Sequence, residues 1–256
     1  MSKLTAADIL AAKGKRQLTR VLVDNYDTAK ACEEAGIDML SVRAAYLKQV
    51  RAGAPNTFIT AACPNGTYNV SNEEAIRLAF SMIDEGADSV YMNATMDRIK
   101  AVADQGIPVE GHVGFVPAHI TWIGGYRAVG KTADEAMKVY RHTLALQEAG
   151  ALTVEMEVVP HRIAAEIAKR VKICVVSLGS GGGCDCTYLF SYDLLGTNSG
   201  HVPRHAKSYR HHFEDSIEAF KEFKADVMQG AFPAKGNMAE IKTDEFEKFL
   251  EQVDRK

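Results

Sequence analysis

The sequence predicts an α/β protein built as a single (β/α)8 barrel of the TIM type, and three observations carry that reading. Short β-branched apolar runs alternate with amphipathic helical stretches along most of the 256 residues, the pattern of βα units wound into a parallel sheet. The junctions share one grammar. In Glu34-Ala35-Gly36-Ile37-Asp38, Glu85-Gly86-Ala87-Asp88 and Glu148-Ala149-Gly150-Ala151-Leu152, a helix ends in glycine and a strand begins at once; Asp104-Gln105-Gly106-Ile107-Pro108-Val109 is a looser copy. Glycine supplies the left-handed cap that so short a connection needs. Finally, no glycine-rich phosphate loop follows the first strand, which weighs against an open doubly wound sheet. No Pro/Gly/Ser linker divides the chain, so residues 1–256 read as one barrel domain with C-terminal helices.

Each element follows in order. Residues 1–19 form a short helix and a basic connector, with Thr5-Ala6-Ala7-Asp8 able to cap its start. Arg20–Val23 is apolar and β-branched enough for the first strand, and Asp24-Asn25 stands at its end. A helix over Asp27–Ala35 stops at Gly36, and Ile37–Val42 is the second strand. The third strand covers Thr57–Ala61. The helix at Asn72–Glu85 sets Ala75, Ile76, Ala79, Met82 and Ile83 on one stripe. The fourth strand is Ser89–Asn93, a short helix runs to Asp104, and the fifth strand is Pro108–His112. The glycine-rich segment Gly124–Lys131 leads into a long helix at Ala133–Ala149. Polar and apolar residues alternate in Thr153–Val159, the period of the sixth strand. A helix at His161–Arg170, strands at Ile173–Ser177 and Thr187–Phe190, and helices over Tyr209–Met228 and Thr243–Val253 complete the chain.

Composition narrows the function classes. A hydrophobic share of 46% and a charged share of 25% are those of an ordinary globular protein. A net charge of −3 gives no electrostatic case for nucleic acid or an anionic membrane. No apolar run reaches the roughly 18 residues of a membrane-spanning helix, and Met1–Asp8 lacks the apolar core of a signal peptide. Five scattered cysteines fit a reducing compartment better than a disulfide framework. A cytoplasmic location and a small-molecule partner are expected.

Barrel enzymes work at the C-terminal ends of their strands, and here those ends are polar. They supply Asp24 and Asn25, then Ser41 and Arg43, then Thr60, Ala62 and Cys63 with Pro64-Asn65-Gly66 behind. Tyr91 and Asn93 share a face of the fourth strand, Glu110 and His112 of the fifth, and Glu155 and Glu157 of the sixth. Inward carboxylates are costly unless paired, protonated or bound to a cation. Two solutions stand open. A divalent cation takes two or three of these ligands, or Arg43 and His112 pair with the acids and leave one as a general base. Cys63, Cys184 and Cys186 read as small buried hydrophobes, since Cys184-Asp185-Cys186 lacks the spacing of a zinc knuckle. The run Gly179-Ser180-Gly181-Gly182-Gly183 reads as a tight turn, and His211-His212 as a solvated helix face.

Several motifs are similar to those of the ketopantoate hydroxymethyltransferase family, in the family's order. They are Arg51-Ala52-Gly53-Ala54-Pro55-Asn56, Gly111-His112-Val113-Gly114-Phe115-Val116-Pro117 and Gly124-Gly125-Tyr126-Arg127-Ala128-Val129-Gly130-Lys131-Thr132, then Glu157-Val158-Val159-Pro160 and Gly183-Cys184-Asp185. Asp193-Leu194-Leu195-Gly196 and Gly230-Ala231-Phe232-Pro233-Ala234 extend the match. The resemblance implies a barrel of the phosphoenolpyruvate mutase and isocitrate lyase kind, assembled as a homo-oligomer. It implies transfer of a one-carbon unit from methylene-tetrahydrofolate to a branched 2-oxo acid held by magnesium. It also implies that Glu157 is the base that removes the proton next to the carbonyl and that His112 contacts substrate; Gly124–Lys131 is expected to be a lid.

The departures from the family are as informative. Where the resemblance places metal-binding acids, this chain has Arg43 within Val42-Arg43-Ala44 and Ala62 within Ala61-Ala62-Cys63-Pro64. A Lys and a Glu of the family's fourth strand are here Tyr91 and Asn93, and a segment before Tyr46–Arg51 is missing. The usual magnesium shell is thus dismantled, while Glu110 and Glu155 are added. We therefore expect C–C bond making or breaking beside a 2-oxo acid carbonyl, with Glu157 and His112 catalytic. Ser41, Arg43, Tyr91, Asn93 and Lys131 are expected to contact substrate. Any cation is expected on Glu155, Glu157 and His112, with Glu110 a further possible ligand. Alternatives are retro-aldol cleavage, decarboxylation or hydrolysis of a carboxylated substrate on the same barrel, or a non-catalytic binder of small acids.

Overall fold

A computed structural model describes residues 3–64 and 70–255; Asn65 and Gly66 lie outside them. The eight strands are β1 (Leu18–Leu22), β2 (Met39–Arg43), β3 (Phe58–Ala62), β4 (Ser89–Tyr91), β5 (Val109–Gly114), β6 (Thr153–Glu157), β7 (Cys174–Leu178) and β8 (Cys186–Phe190). They close in sequence order into a barrel, and β8 pairs in parallel with β1. The helices are α1 (Ala6–Ala12), α2 (Tyr26–Glu34), α3 (Leu47–Gly53), α4 (Asn72–Asp84), α5 (Met96–Ala103), α6 (Ile120–Ile123), α7 (Ala133–Glu148), α8 (His161–Arg170), α9 (Ser191–Leu195), α10 (His212–Gln229) and α11 (Thr243–Asp254). The expected (β/α)8 barrel is therefore the observed one.

Local chemistry explains where the helices start. Thr5 and Asp8 form a reciprocal capping box on α1, and Asn25, Ser71 and Thr132 cap α2, α4 and α7 by accepting a backbone N–H three residues on. Two cores result. One lies between sheet and helices and holds Val21, Leu40, Ile59, Val90, Val109, Val154 and Val175. The other lies inside the barrel, where Leu18, Met39, Phe58, Cys174 and Cys186 stack with Ile9 of α1. Since Leu18, Met39 and Phe58 open their strands, α1 closes the N-terminal end. The polar site is left to the other end.

Some boundaries differ from the sequence expectation. β1 starts at Leu18, so Arg20 is a mid-strand residue. β4 ends at Tyr91, which leaves Asn93 beyond the strand. β7 and β8 are joined by the short 179–185 loop with no helix between them, because its glycine run carries too much backbone freedom to hold one. All five cysteines are free and buried. No helix among the described residues is long and apolar enough to cross a membrane.

The chain forms two compact units: Met1–Leu194 with Gly200–Ser208, and Leu195–Ser199 with Tyr209–Lys256. The first contains the barrel. The second contains α10 and α11, neither of which buries a residue.

Candidate active site

The site grows from two neighbouring strands. β5 and β6 pair in register, Glu110 with Thr153, His112 with Glu155 and Gly114 with Glu157. Alternation then turns Glu110, His112, Thr153, Glu155 and Glu157 to the barrel interior. Gly111 faces outward, and a Cβ there would stand 2.4 Å from Leu146 of α7. Gly114 has φ +89°, and its Cβ would meet the Glu157 carbonyl oxygen at 2.3 Å. The two glycines let α7 and β6 close on β5, which sets His112 against the two glutamates.

His112 is the hub. Its Nδ1 shares a 2.6 Å hydrogen bond with the Tyr91 hydroxyl. Its Nε2 stands 3.2 Å from Oε2 of Glu157 and 3.9 Å from Oε1 of Glu155. Despite that closeness, Nε2 has no aligned hydrogen-bond partner and is shut off from solvent. One ligand atom each from His112, Glu155 and Glu157 falls within 4.8 Å of the others.

Beneath this trio runs a second polar layer. Arg20 pairs with Oε2 of Glu110 and donates from Nε to the Ser41 hydroxyl at 2.6 Å. Thr153 donates its hydroxyl to the same Glu110 oxygen at 2.6 Å, and the Arg20 guanidinium lies 4.9 Å from the Tyr188 ring centroid. Glu110 Oε1 has no partner.

The electrostatics follow from this layering. Burial pushes the Glu155 carboxyl up to about 7, with His112 and Arg20 opposing and Glu110 and Glu157 adding to the push. Burial alone would strip His112 of its proton, but Glu155, Glu157 and Glu110 together outweigh it and its pKa is raised. Burial and Glu155 raise the Tyr188 phenol well above its ordinary value. With Glu110 neutralised by Arg20, two carboxylates and an imidazole remain. They form a buried cluster in which each group's charge depends on its neighbours.

The other candidate residues fall in different places. Ser41 is buried in the lower layer, where it serves Arg20. Arg43 is exposed at the end of β2 and holds Asp24 at 2.5 Å. Tyr91 meets His112, and Asn93 is half-buried just past β4. Lys131 is exposed, and its N–H donates to Glu135 at 3.2 Å. In the Gly124–Lys131 segment, Arg127 bonds the Ile123 and Ala128 carbonyls and Glu135, while Tyr126 is exposed. A magnesium ion does not fit at the family's position: Arg43, Asp24 and Ala62 offer a guanidinium ion pair and a methyl group there, not a carboxylate shell.

Arg20 and Tyr188 escaped the sequence reading. Arg20 shares its phase with Leu18 and Leu22, both buried in the interior. That phase was the available signal; its place in the first turn of the expected strand concealed it. Val158, just after Glu157, has φ +49°, an outlier for a β-branched residue that no pattern announces.

Comparison with known proteins adds kinship to this geometry. A family model described as ketopantoate hydroxymethyltransferase matches residues 43–235. A 3-methyl-2-oxobutanoate hydroxymethyltransferase of Kosmotoga olearia is 35% identical over 91% of this chain and 96% of its own. One of Nitrosopumilus maritimus is 31% identical over 94% and 95%. Among solved structures, 2,3-dimethylmalate lyase, a PEP mutase/isocitrate lyase superfamily member, matches with a TM-score of 0.58 at 13% identity, covering 98% of this chain and 100% of that one. Phosphonopyruvate hydrolase in complex with oxalate and Mg++ matches with a TM-score of 0.56 at 14% identity, covering 99% and 100%. These two share the fold.

Proposed function

The chain belongs to the ketopantoate hydroxymethyltransferase family, and from that premise we propose that it makes or breaks a C–C bond adjacent to the carbonyl of a 2-oxo acid, at a remodelled site. The observation that carries the reading is the 3.2 Å approach of His112 Nε2 to Glu157 inside the barrel. In the forward direction Glu157 takes the proton from the carbon next to the carbonyl, and the C–H electron pair moves into the enolate. The enolate carbon then attacks the one-carbon electrophile. His112, held by Tyr91, faces the carbonyl oxygen and orients it. Arg43, Asn93, Ser41 and Lys131 complete the proposed substrate contacts, with Arg43 offering its guanidinium to the carboxylate once Asp24 yields.

A tetrahydrofolate one-carbon donor belongs to this reading through the family resemblance alone. A cytoplasmic location is supported by five free, buried cysteines. A homo-oligomer is supported by the apolar stripe that α10 exposes. The Arg43–Asp24 pair favours a second reading, retro-aldol, decarboxylase or hydrolase chemistry on the same barrel, because it replaces the family's cation shell.

The test needs no folate. Exchange of the proton next to the carbonyl of 3-methyl-2-oxobutanoate and related 2-oxo acids is followed by NMR in D2O. Glu157→Gln is expected to fold and to slow exchange about 10²–10⁴-fold, the usual contribution of a general base. Unchanged exchange in that variant would end the base assignment.

A further inference from the structure

Resting on that reading, we propose that His112, Glu155 and Glu157 form a binding site for one late first-row divalent transition ion, on the barrel wall facing away from Arg43. The acids alone would not carry this; His112 does. Its ring is buried, and Nε2 points into the pair of carboxylates without a hydrogen-bond partner. In the tautomer whose Nδ1–H donates to Tyr91, the Nε2 lone pair confronts two carboxylate oxygens at 3.2 and 3.9 Å. Three acceptors converging in a closed interior repel one another unless something positive sits among them. A proton on Nε2 is one answer, set 3.2 Å from Glu157 but poorly aligned with it. A cation is the other.

The spacing suits an ion. Bonds of about 2.1 Å place neighbouring ligand atoms about 3.0 Å apart in an octahedral shell and about 3.4 Å apart in a tetrahedral one. Small side-chain rotations bring the 3.9 Å pair into that range. The donor set gives the class. One imidazole nitrogen with two carboxylate oxygens favours Mn, Fe, Co, Ni or Zn over magnesium, which prefers an all-oxygen shell. Tyr91 supplies the outer contact that orients the imidazole ring. Glu110 lies outside the cluster, with its Oε2 held by Arg20, so the site has three protein ligands and keeps positions open. Glu157 gives one oxygen to the ion and keeps the other for the proton of the reaction above, and with its Nε2 on the ion His112 would act on the carbonyl through the ion it holds.

The experiment reads metal, not turnover. The full chain is stripped with EDTA and titrated with Mn2+, Zn2+ and Mg2+, with ion content measured by mass spectrometry and unfolding followed by heating. The wild type is expected to retain about one transition ion per chain. At a hundredfold excess over Kd, Tm is expected to rise by about 5–10 °C with Mn2+ or Zn2+ and much less with Mg2+. Glu155→Val removes a buried charge and is expected to fold with an unchanged or higher metal-free Tm, yet to lose both the ion and the shift. Tyr91→Phe is expected to bind 10–100-fold more weakly. His211→Ala/His212→Ala, which removes an exposed histidine pair, is expected to bind as wild type. A wild type that binds no ion, or an ion that survives Glu155→Val and His112→Ala, overturns the site. The two readings separate cleanly. Metal-free protein whose Glu157→Gln variant still loses proton exchange keeps the base and removes the cation. Metal binding with undiminished exchange in Glu157→Gln does the reverse.

Discussion

Arg20 and Glu110 meet inside the barrel with side chains 2% and 0% exposed. Neither charge has water to fall back on, so each depends on the other. Arg20→Met alone is expected to destabilise the protein by about 3–5 kcal/mol, because Glu110, already short of one partner, is then left buried with only the Thr153 hydroxyl against its charge. Arg20→Met with Glu110→Met is expected to recover most of that loss, or to exceed wild type by about 1–4 kcal/mol. Urea unfolding of the two single variants and the double variant measures the coupling, and additive losses would show that the pair is not a unit. The legibility of these residues in the sequence divides along the same line. Glu110, His112, Glu155 and Glu157 announce themselves, since alternation sets acids in phase where a barrel wants apolar side chains. Arg20 has the same phase and the same burial, but a lone basic residue near the expected start of a strand reads as a solvated end. Its partner lies 90 positions away, and pattern carries no information across that distance.

Strand β6 ends in a way that holds Glu157 still. The Phe115 N–H donates to the Glu157 carbonyl at 2.8 Å, and Val158 donates to Leu178 at 2.8 Å while accepting from Val129 at 3.1 Å. Ser180 accepts from the Val159 N–H and donates to the Met156 carbonyl. These bonds on both sides over-determine the turn and keep Val158 at φ +49°, a conformation costing about 1–3 kcal/mol. The proposed base therefore sits one residue before a strained junction. Gly114→Ala drives a methyl group into the Glu157 carbonyl from the facing strand. It is expected to cost at least about 1–3 kcal/mol and to slow proton exchange well beyond what its unfolded fraction explains. Thermal melts run beside the NMR exchange assay separate the two effects, and an exchange loss matching the stability loss would deny the turn a positioning role. Long periodic elements such as α4 and α7 were legible to within a residue or two. Short α3, α6 and α9 were not, because one or two turns leave too little period to read. Val158 could not be foreseen, because its conformation is imposed by three other segments.

Across the whole molecule, the second unit is the part that a barrel does not explain. α10 has 18 residues, none of them buried, yet Phe213, Ile217, Phe220, Phe223, Val227 and Met228 recur at helical spacing on its surface. On α11, Phe246, Phe249, Leu250 and Val253 do the same. Phe223 and Phe232 pack edge to face within the unit at 5.7 Å, but one such contact does not offset a stripe of open aromatic side chains. Helices of this length gain most of their stability from packing an apolar face, and a face this apolar left in water is an association surface. The protein is therefore expected to be a homo-oligomer with these helices in its contacts. Closed symmetry makes any one substitution act at every equivalent contact. Ile217→Asp with Phe220→Asp is expected to shift the mass in sedimentation equilibrium to a smaller species and to lower Tm in the same samples. Phe213, Phe223, Val227 and Met228 would remain on α10, so the helix itself keeps its pattern. A wild type that sediments as a monomer at micromolar concentration, or a double variant of unchanged mass, would show that the stripe has another purpose. The result also bears on the site, since each barrel carries its own His112, Glu155 and Glu157. Metal content per chain measured on the dissociated variant should equal that of the assembled wild type.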